Sequence, residues 1–177
     1  VDKAESKGFR DARDGHKRCS LFGRQIRFNL EESFPLMTHK KVFVRGAFEE
    51  LMWMLRGQTD NQILKDKNVH IWDLWEGQID PNNPTELGKI YGDLWRNFGI
   101  IEHKNGFKFQ EGFDQIEWVK NEIKNNPSSS RMLVSGWNPQ VSTSTPKEAV
   151  LPCGHVLYQF FVEDGKLSCQ LYQRSGD

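Results

Sequence analysis

The 177 residues suffice for one domain with a real hydrophobic core and are too few for two comfortable ones. Lys+Arg and Asp+Glu both number 24, so the formal net charge is zero, whereas a general nucleic-acid or membrane-surface binder needs a basic excess. Six Trp and twelve Phe exclude a disordered polar chain, and no run of about 18 apolar residues exists to span a bilayer.

The first stretch, "VDKAESKGFRDARDGHKR", lacks an apolar signal segment, and a soluble cytoplasmic protein is expected. Cys19, Cys153 and Cys169 are an odd count without metal-type spacing, so neither a disulfide framework nor a metal site is expected. "SLFGRQIRFNL" alternates around Leu21, Ile26 and Phe28 and reads as strand with a bend at Gly23. "FPLMTHKKV" reads as an extended connection. Phe48, Leu51, Met52 and Leu55 recur at helical spacing through "RGAFEELMWMLRG" and are expected to face inward, with Gly57 as the stop. Thr59 with Gln62 suggests a capping box opening a second helix, "NQILKDKNV". "EGQIDPNNPTELG" is a turn-rich loop. "EGFDQIEWVKNEIKNNP" is an amphipathic helix with Phe113, Ile116, Val119 and Ile123 on one face. "RMLVSGWN" returns to strand, "PQVSTSTPKEA" reads as a polar loop, and "HVLYQFFVEDGKLSCQLYQRS" is a hairpin about Glu-Asp-Gly-Lys. Helices and strands mix without regular βα alternation, so the fold class is α+β.

The chemistry centres on "VLPCGHVLYQF". A cysteine beside apolar sequence is most often a packed core residue. Cys153, however, follows a proline, precedes a glycine and opens a strand, where a side chain can face a cleft. A thiolate there needs positive charge nearby, and His155 or an arginine could supply it. Cys19 and Cys169 read as structural. Arg13, Arg131 and Arg174 each lie beside Ser or Gly at the edge of apolar sequence; such arginines are usually solvated, but the guanidinium fork also matches phosphate oxygens. Of the pair Glu49 and Glu50, one must lie near the apolar helix face, where a carboxylate is costly unless paired or catalytic. Trp72 and Trp75 in "IWDLW" are more often core, although such rings also stack on planar ligands.

Together, "SLFGRQIRFNL", "FPLMTHKKV", "FEELMWMLRGQTD", "VHIWDLW", "IYGDLWRNFG", "RMLVSGWNP", "LPCGHVLYQFFV" and "GKLSCQLYQRSGD" resemble the blocks of the thymidylate synthase family, in its order. The resemblance implies a single domain over 1–177, a mixed sheet packed with helices, and a homodimer with the sheet at its interface. It also implies transfer of a one-carbon unit from 5,10-methylenetetrahydrofolate to C5 of dUMP, without a metal, yielding dTMP and dihydrofolate. Cys153 matches the thiolate that adds to C6, and Glu50 the glutamate that orders water and moves protons. Tyr91 is expected near the base of the cleft, and His155 and Tyr91 are counted with Cys153 and Glu50 as catalytic. Arg13, Arg174 and Ser175 match phosphate ligands, and Arg131 matches an arginine lent to the partner subunit's phosphate. Trp72 and Trp75 match aromatics on the folate side, and Asp177 an aspartate touching both ligands.

Several blocks depart from the family pattern. The family has cysteine immediately before histidine, whereas here the order is Pro152-Cys153-Gly154-His155. Counting back from Gln159 puts Gly154 at the nucleophile's position, and a one-residue shift on a strand turns a side chain to the opposite face. A bulge near Gly154 would restore the aim of Cys153. The loop "ARDGHKR" keeps Arg13 and Gly15 but loses the family's small hydroxyl residues, which His16, Lys17 and Arg18 could replace; Ser130 stands where a second arginine is usual. Family members also continue past the "QRSGD" block, so the chain reads as truncated before the family's C-terminal part. Two alternatives stay open: a dUMP or dCMP hydroxymethylase that captures the same intermediate with water, and a non-catalytic nucleotide-binding member.

Overall fold

The computed structural model describes residues 9–11, 15, 17–19, 22–99, 101–102, 108–110, 112–143 and 147–176. The chain divides into two compact units, Val1–Val42 and Phe43–Asp177. In the first, β1 (Phe9–Asp11) pairs antiparallel with β2 (Lys17–Cys19). The expected strand through "SLFGRQIRFNL" does not form over residues 22–30: the chain bends at Gly23 and runs irregularly, with Phe22, Ile26 and Phe28 exposed. Alternation makes a strand only where a neighbour supplies backbone partners.

The second unit holds the core. Helix α1 (Val44–Leu55) ends as expected, with Gly57 at φ +74° against the Arg96 side chain. Its inward face differs from the expectation. Gly46, Trp53 and Met54 are buried, while Phe48 and Leu51 stay exposed. Apolar residues lie nearly all round this helix, so period alone cannot choose which stripe is covered. The short α2 (Gln62–Lys65) has no Thr59 capping box; the Asp60 carboxylate takes the Gln62 N–H instead, at 2.9 Å. A 3₁₀ turn spans Asp73–Trp75, and α3 (Tyr91–Arg96) follows the turn-rich loop.

β3 (Ile101–Glu102) pairs with β4 (Lys108–Gln110). Helix α4 (Gln115–Asn125) is capped by the Asp114 carboxylate on the Glu117 N–H and buries Val119, with Ile116 and Ile123 against the core; Phe113 lies outside it, half-exposed. Residues expected as a polar loop form the one-turn α5 (Pro139–Thr143).

The sheet of this unit runs β5 (Leu133–Ser135), β6 (His155–Glu163), β7 (Lys166–Gln173), all antiparallel. Asp164 and Gly165 both take positive φ in the β6–β7 turn, the geometry a two-residue hairpin needs. Tyr158, Phe160 and Val162 face the core, while Phe161 and Leu133 lie exposed on the other side. Mixed helices and a small antiparallel sheet agree with the α+β expectation.

Candidate active site

Glu50 lies on the inward stripe of α1, between buried Gly46 and Trp53. Its Oε1 accepts the Trp72 indole N–H at 2.8 Å. Burial pushes this carboxyl above its usual range, and the indole bond opposes the rise. Glu49, one residue earlier, turns outward to Lys67, which holds its carboxyl low. The two carboxylates of the sequence pair are therefore set apart: one is ion-paired and held low, the other is raised by burial.

Tyr91 opens α3 beneath the segment that leads into β6. Its hydroxyl oxygen accepts the Gly154 N–H at 2.7 Å, and its ring lies 5.5 Å from that of His155. Burial raises the phenol's pKa. The register of β6 against β7 moves from His155↔Gln173 to Leu157↔Tyr172, leaving Val156 as an extra, bulged residue. The bulge brings His155 to the face of Tyr158, where the rings meet edge-on at 6.2 Å. Burial lowers the pKa of His155 below the usual imidazole range.

Cys153 is 2% exposed and belongs to the core cluster. Burial pushes its thiol up to about 12, against lowering pulls from the Tyr91 backbone and the Arg174 guanidinium. Arg174 closes over this segment. Its backbone N–H donates to the Gly154 carbonyl at 2.8 Å, and its side chain reaches the carbonyls of Cys153 and Pro152, each at 3.4 Å. The guanidinium carbon also lies 5.7 Å from the Trp137 ring centroid, a cation–π partner that no periodicity or motif could have announced.

The structure thus gathers Glu50, Tyr91, Cys153, His155 and Arg174 around the entrance to β6. Ser175 follows Arg174, exposed, its carbonyl accepting from the Gln173 side chain at 2.8 Å. Trp72 is a core ring, 6.1 Å from Trp53, whose contribution to the site is the N–H on Glu50. Trp75 is half-buried against the core. Arg131 is exposed at the start of β5; among the described residues no hydrogen bond joins its guanidinium to this cluster. Arg13 and Asp177 lie outside the described residues.

Sequence reading passed over Asn61. It is fully buried and donates to both Asp73 (2.9 Å) and Glu76 (2.8 Å), fastening the 3₁₀ turn that carries Trp72 and Trp75. A buried amide with two carboxylate partners has no signature in spacing. A concavity of about 360 Å³ lies elsewhere, lined by residues such as Thr59, Lys89, Asp93 and Glu148 and by none of the expected site residues. Among the described residues, no group of three or more His, Cys, Asp and Glu side chains is placed to hold a metal ion. No described helix is long and apolar enough to cross a membrane.

Comparison with known proteins decides the family, because the family model described as thymidylate synthase matches residues 3–177. The chain belongs to the thymidylate synthase family. It is 45% identical over 174 residues to the thymidylate synthase of varicella-zoster virus (strain Dumas), covering 93% of this chain and 56% of that protein. It is 45% identical over 180 residues to the thymidylate synthase of Herpesvirus ateles, covering 96% of this chain and 60% of that one. The chain therefore spans under two thirds of the length of these relatives. The Glu50–Trp72 pair and the Tyr91–Gly154–Arg174 frame are what this chain has built within the family's fold.

Proposed function

We propose that the protein transfers a one-carbon unit to C5 of dUMP in the manner of a thymidylate synthase, with Cys153 as the attacking thiol. The observation that carries this reading is the convergence of Tyr91 and Arg174 on residues 152–154, which include Cys153, with Glu50 close enough to act electrostatically on the Tyr91 phenol. In the addition step the sulfur–C6 bond forms and the C5–C6 π pair moves toward the C4 oxygen, which makes C5 a carbon nucleophile. No atom is lost, and the thiol proton passes to a base. Glu50, with its raised carboxyl, suits the proton movements around the pyrimidine. Arg174, with Arg13, is assigned to the phosphate, where a bidentate fork gives both charge and orientation. Ser175 adds a hydroxyl beside them.

The one-carbon donor, methylenetetrahydrofolate, supplies the carbon and the hydride that completes the methyl group. Half-buried Trp75 offers an aromatic surface, and Glu50, held by the Trp72 N–H, an acidic group, of a kind that fits a folate ring. Asp177 is assigned to both ligands. Exposed Leu133, Phe161 and Tyr172 make the outward face of the sheet partly apolar, which supports a homodimer with this face at its interface and Arg131 reaching the partner's phosphate.

The test is the intact mass of the protein after incubation with fluoro-dUMP and methylenetetrahydrofolate, beside Cys153→Ser. A covalent adduct in the native protein, lost in the variant, is expected. Native protein that stays at its own mass would sink the catalytic reading. A second reading, a nucleotide-binding member without thiol chemistry, is favoured by the burial of Cys153 and its thiol at about 12. It predicts dUMP binding with no adduct.

A further inference from the structure

We infer that residue 154, not residue 153, is the position that faces the substrate, and that Cys153 starts from a core-facing orientation which it must leave before it can react. The inference rests on reading residues 152–155 as a wall of the nucleotide site, and it concerns aim alone.

Two geometric observations carry it. Cys153 lies 2% exposed among the core side chains, so no approach path reaches its sulfur from solvent in this arrangement. Gly154, next to it, is half-buried and is held on both sides of its backbone: its N–H by the Tyr91 hydroxyl at 2.7 Å, its carbonyl by the Arg174 N–H at 2.8 Å. A Cβ built on Gly154 would lie 3.4 Å from the Tyr91 hydroxyl and 3.7 Å from the Ser175 carbonyl. These are ordinary contacts, and they point a side chain at position 154 between two of the residues assigned to the substrate.

Gly154 is also not among the glycines with positive φ, so an L side chain fits there without backbone strain. Glycine at this position therefore answers no conformational need. It leaves the site-facing position without a side chain, while the neighbouring thiol packs inward. Arg174 is consistent with this division. Its guanidinium spans the carbonyls of residues 152 and 153, while the Cys153 side chain is buried in the core.

The experiment is alkylation by iodoacetamide under native conditions, in which sulfur displaces iodide and its proton passes to buffer. Rates at each cysteine are read by peptide mass mapping in the native protein and in the double variant Cys153→Ser/Gly154→Cys. Exposed Cys169 serves as the internal standard. A buried thiol reacts only through local opening, so Cys153 should label at least about tenfold more slowly than Cys169. The thiol at position 154 should label at least about tenfold faster than native Cys153. Labelling of Cys153 as fast as that of Cys169 overturns the inference from the native protein alone, even if the double variant does not fold. A folded double variant whose thiol at 154 labels no faster than native Cys153 overturns it as well.

Repeating the labelling with dUMP present separates this inference from the reading it rests on. Slower labelling at 154 under dUMP supports both. A reactive thiol at 154 that dUMP does not protect leaves the aim established and counts against the nucleotide site.

Discussion

Replacing Tyr91 by Phe removes one oxygen and little else. The ring keeps its contacts with His155 at 5.5 Å and Trp95 at 6.1 Å, and it stays in a position that is 7% exposed. What goes is the acceptor for the Gly154 N–H at 2.7 Å. A hydrogen bond of this kind is worth about 1 kcal/mol net, rising toward about 3 kcal/mol when the abandoned donor is sealed from water. Gly154 is only half-buried, so water can take the place of the phenol, which puts the expected cost near 1 kcal/mol. For a chain of this size that corresponds to a fall of about 2–4 °C in melting temperature. The loss should be local as well as global. Amide exchange at Gly154 should speed up in the variant, while exchange at Val134, in the middle of β5, should follow only the global change. The assay is thermal unfolding by near-ultraviolet circular dichroism together with hydrogen exchange read by mass spectrometry. An unchanged melting temperature with unchanged exchange at Gly154 would refute the idea that the phenol fixes the entrance to β6.

Glu50→Gln keeps an acceptor for the Trp72 N–H and removes the charge. The native carboxyl has its folded pKa raised above the ordinary carboxylate range, chiefly by burial. Native stability therefore falls as pH rises from the unfolded value through the folded one, because the unfolded chain ionises first. The variant should be the more stable protein at pH 8 and lose that advantage as pH falls to about 4, measured by urea midpoints across the range; an advantage that grows toward acid would contradict the burial argument. Gly88→Ala should be severe. Gly88 has φ +79°, and a Cβ there would overlap the Glu148 carbonyl, which accepts from the Lys89 N–H at 2.8 Å. The left-handed conformation costs about 1 kcal/mol for a residue with a Cβ, and loss of the bonds to Glu148 and from Val150 to Leu87 adds about 2 kcal/mol. A melting temperature within 2–3 °C of native, roughly the effect of 1 kcal/mol at this size, would show that the loop yields more easily than its packing suggests.

Much of this protein is legible in its sequence, and the legible part is local. The span of α1, its stop at Gly57, the amphipathic α4 and the β6–β7 hairpin follow from period and turn chemistry close along the chain. The residue types of the site were legible too, because a cysteine after a proline and a glutamate inside an apolar helix are costly choices that ask for a reason. Tertiary contact decided the rest. Phe22 to Leu30 alternates like a strand but pairs with no strand among the described residues, and α1 turned Trp53 and Met54 inward rather than Phe48 and Leu51. Glu50 rather than Glu49 became the buried carboxylate because Trp72, far along the chain, brings an N–H to it. The aim of the thiol was decided in the same way. Cys153 is buried in the core, while the backbone of its neighbour Gly154 is held by a phenol from α3 and an arginine from the end of the hairpin. Local spacing sets which residues can share a face, but only the elements packed against that face determine what it meets.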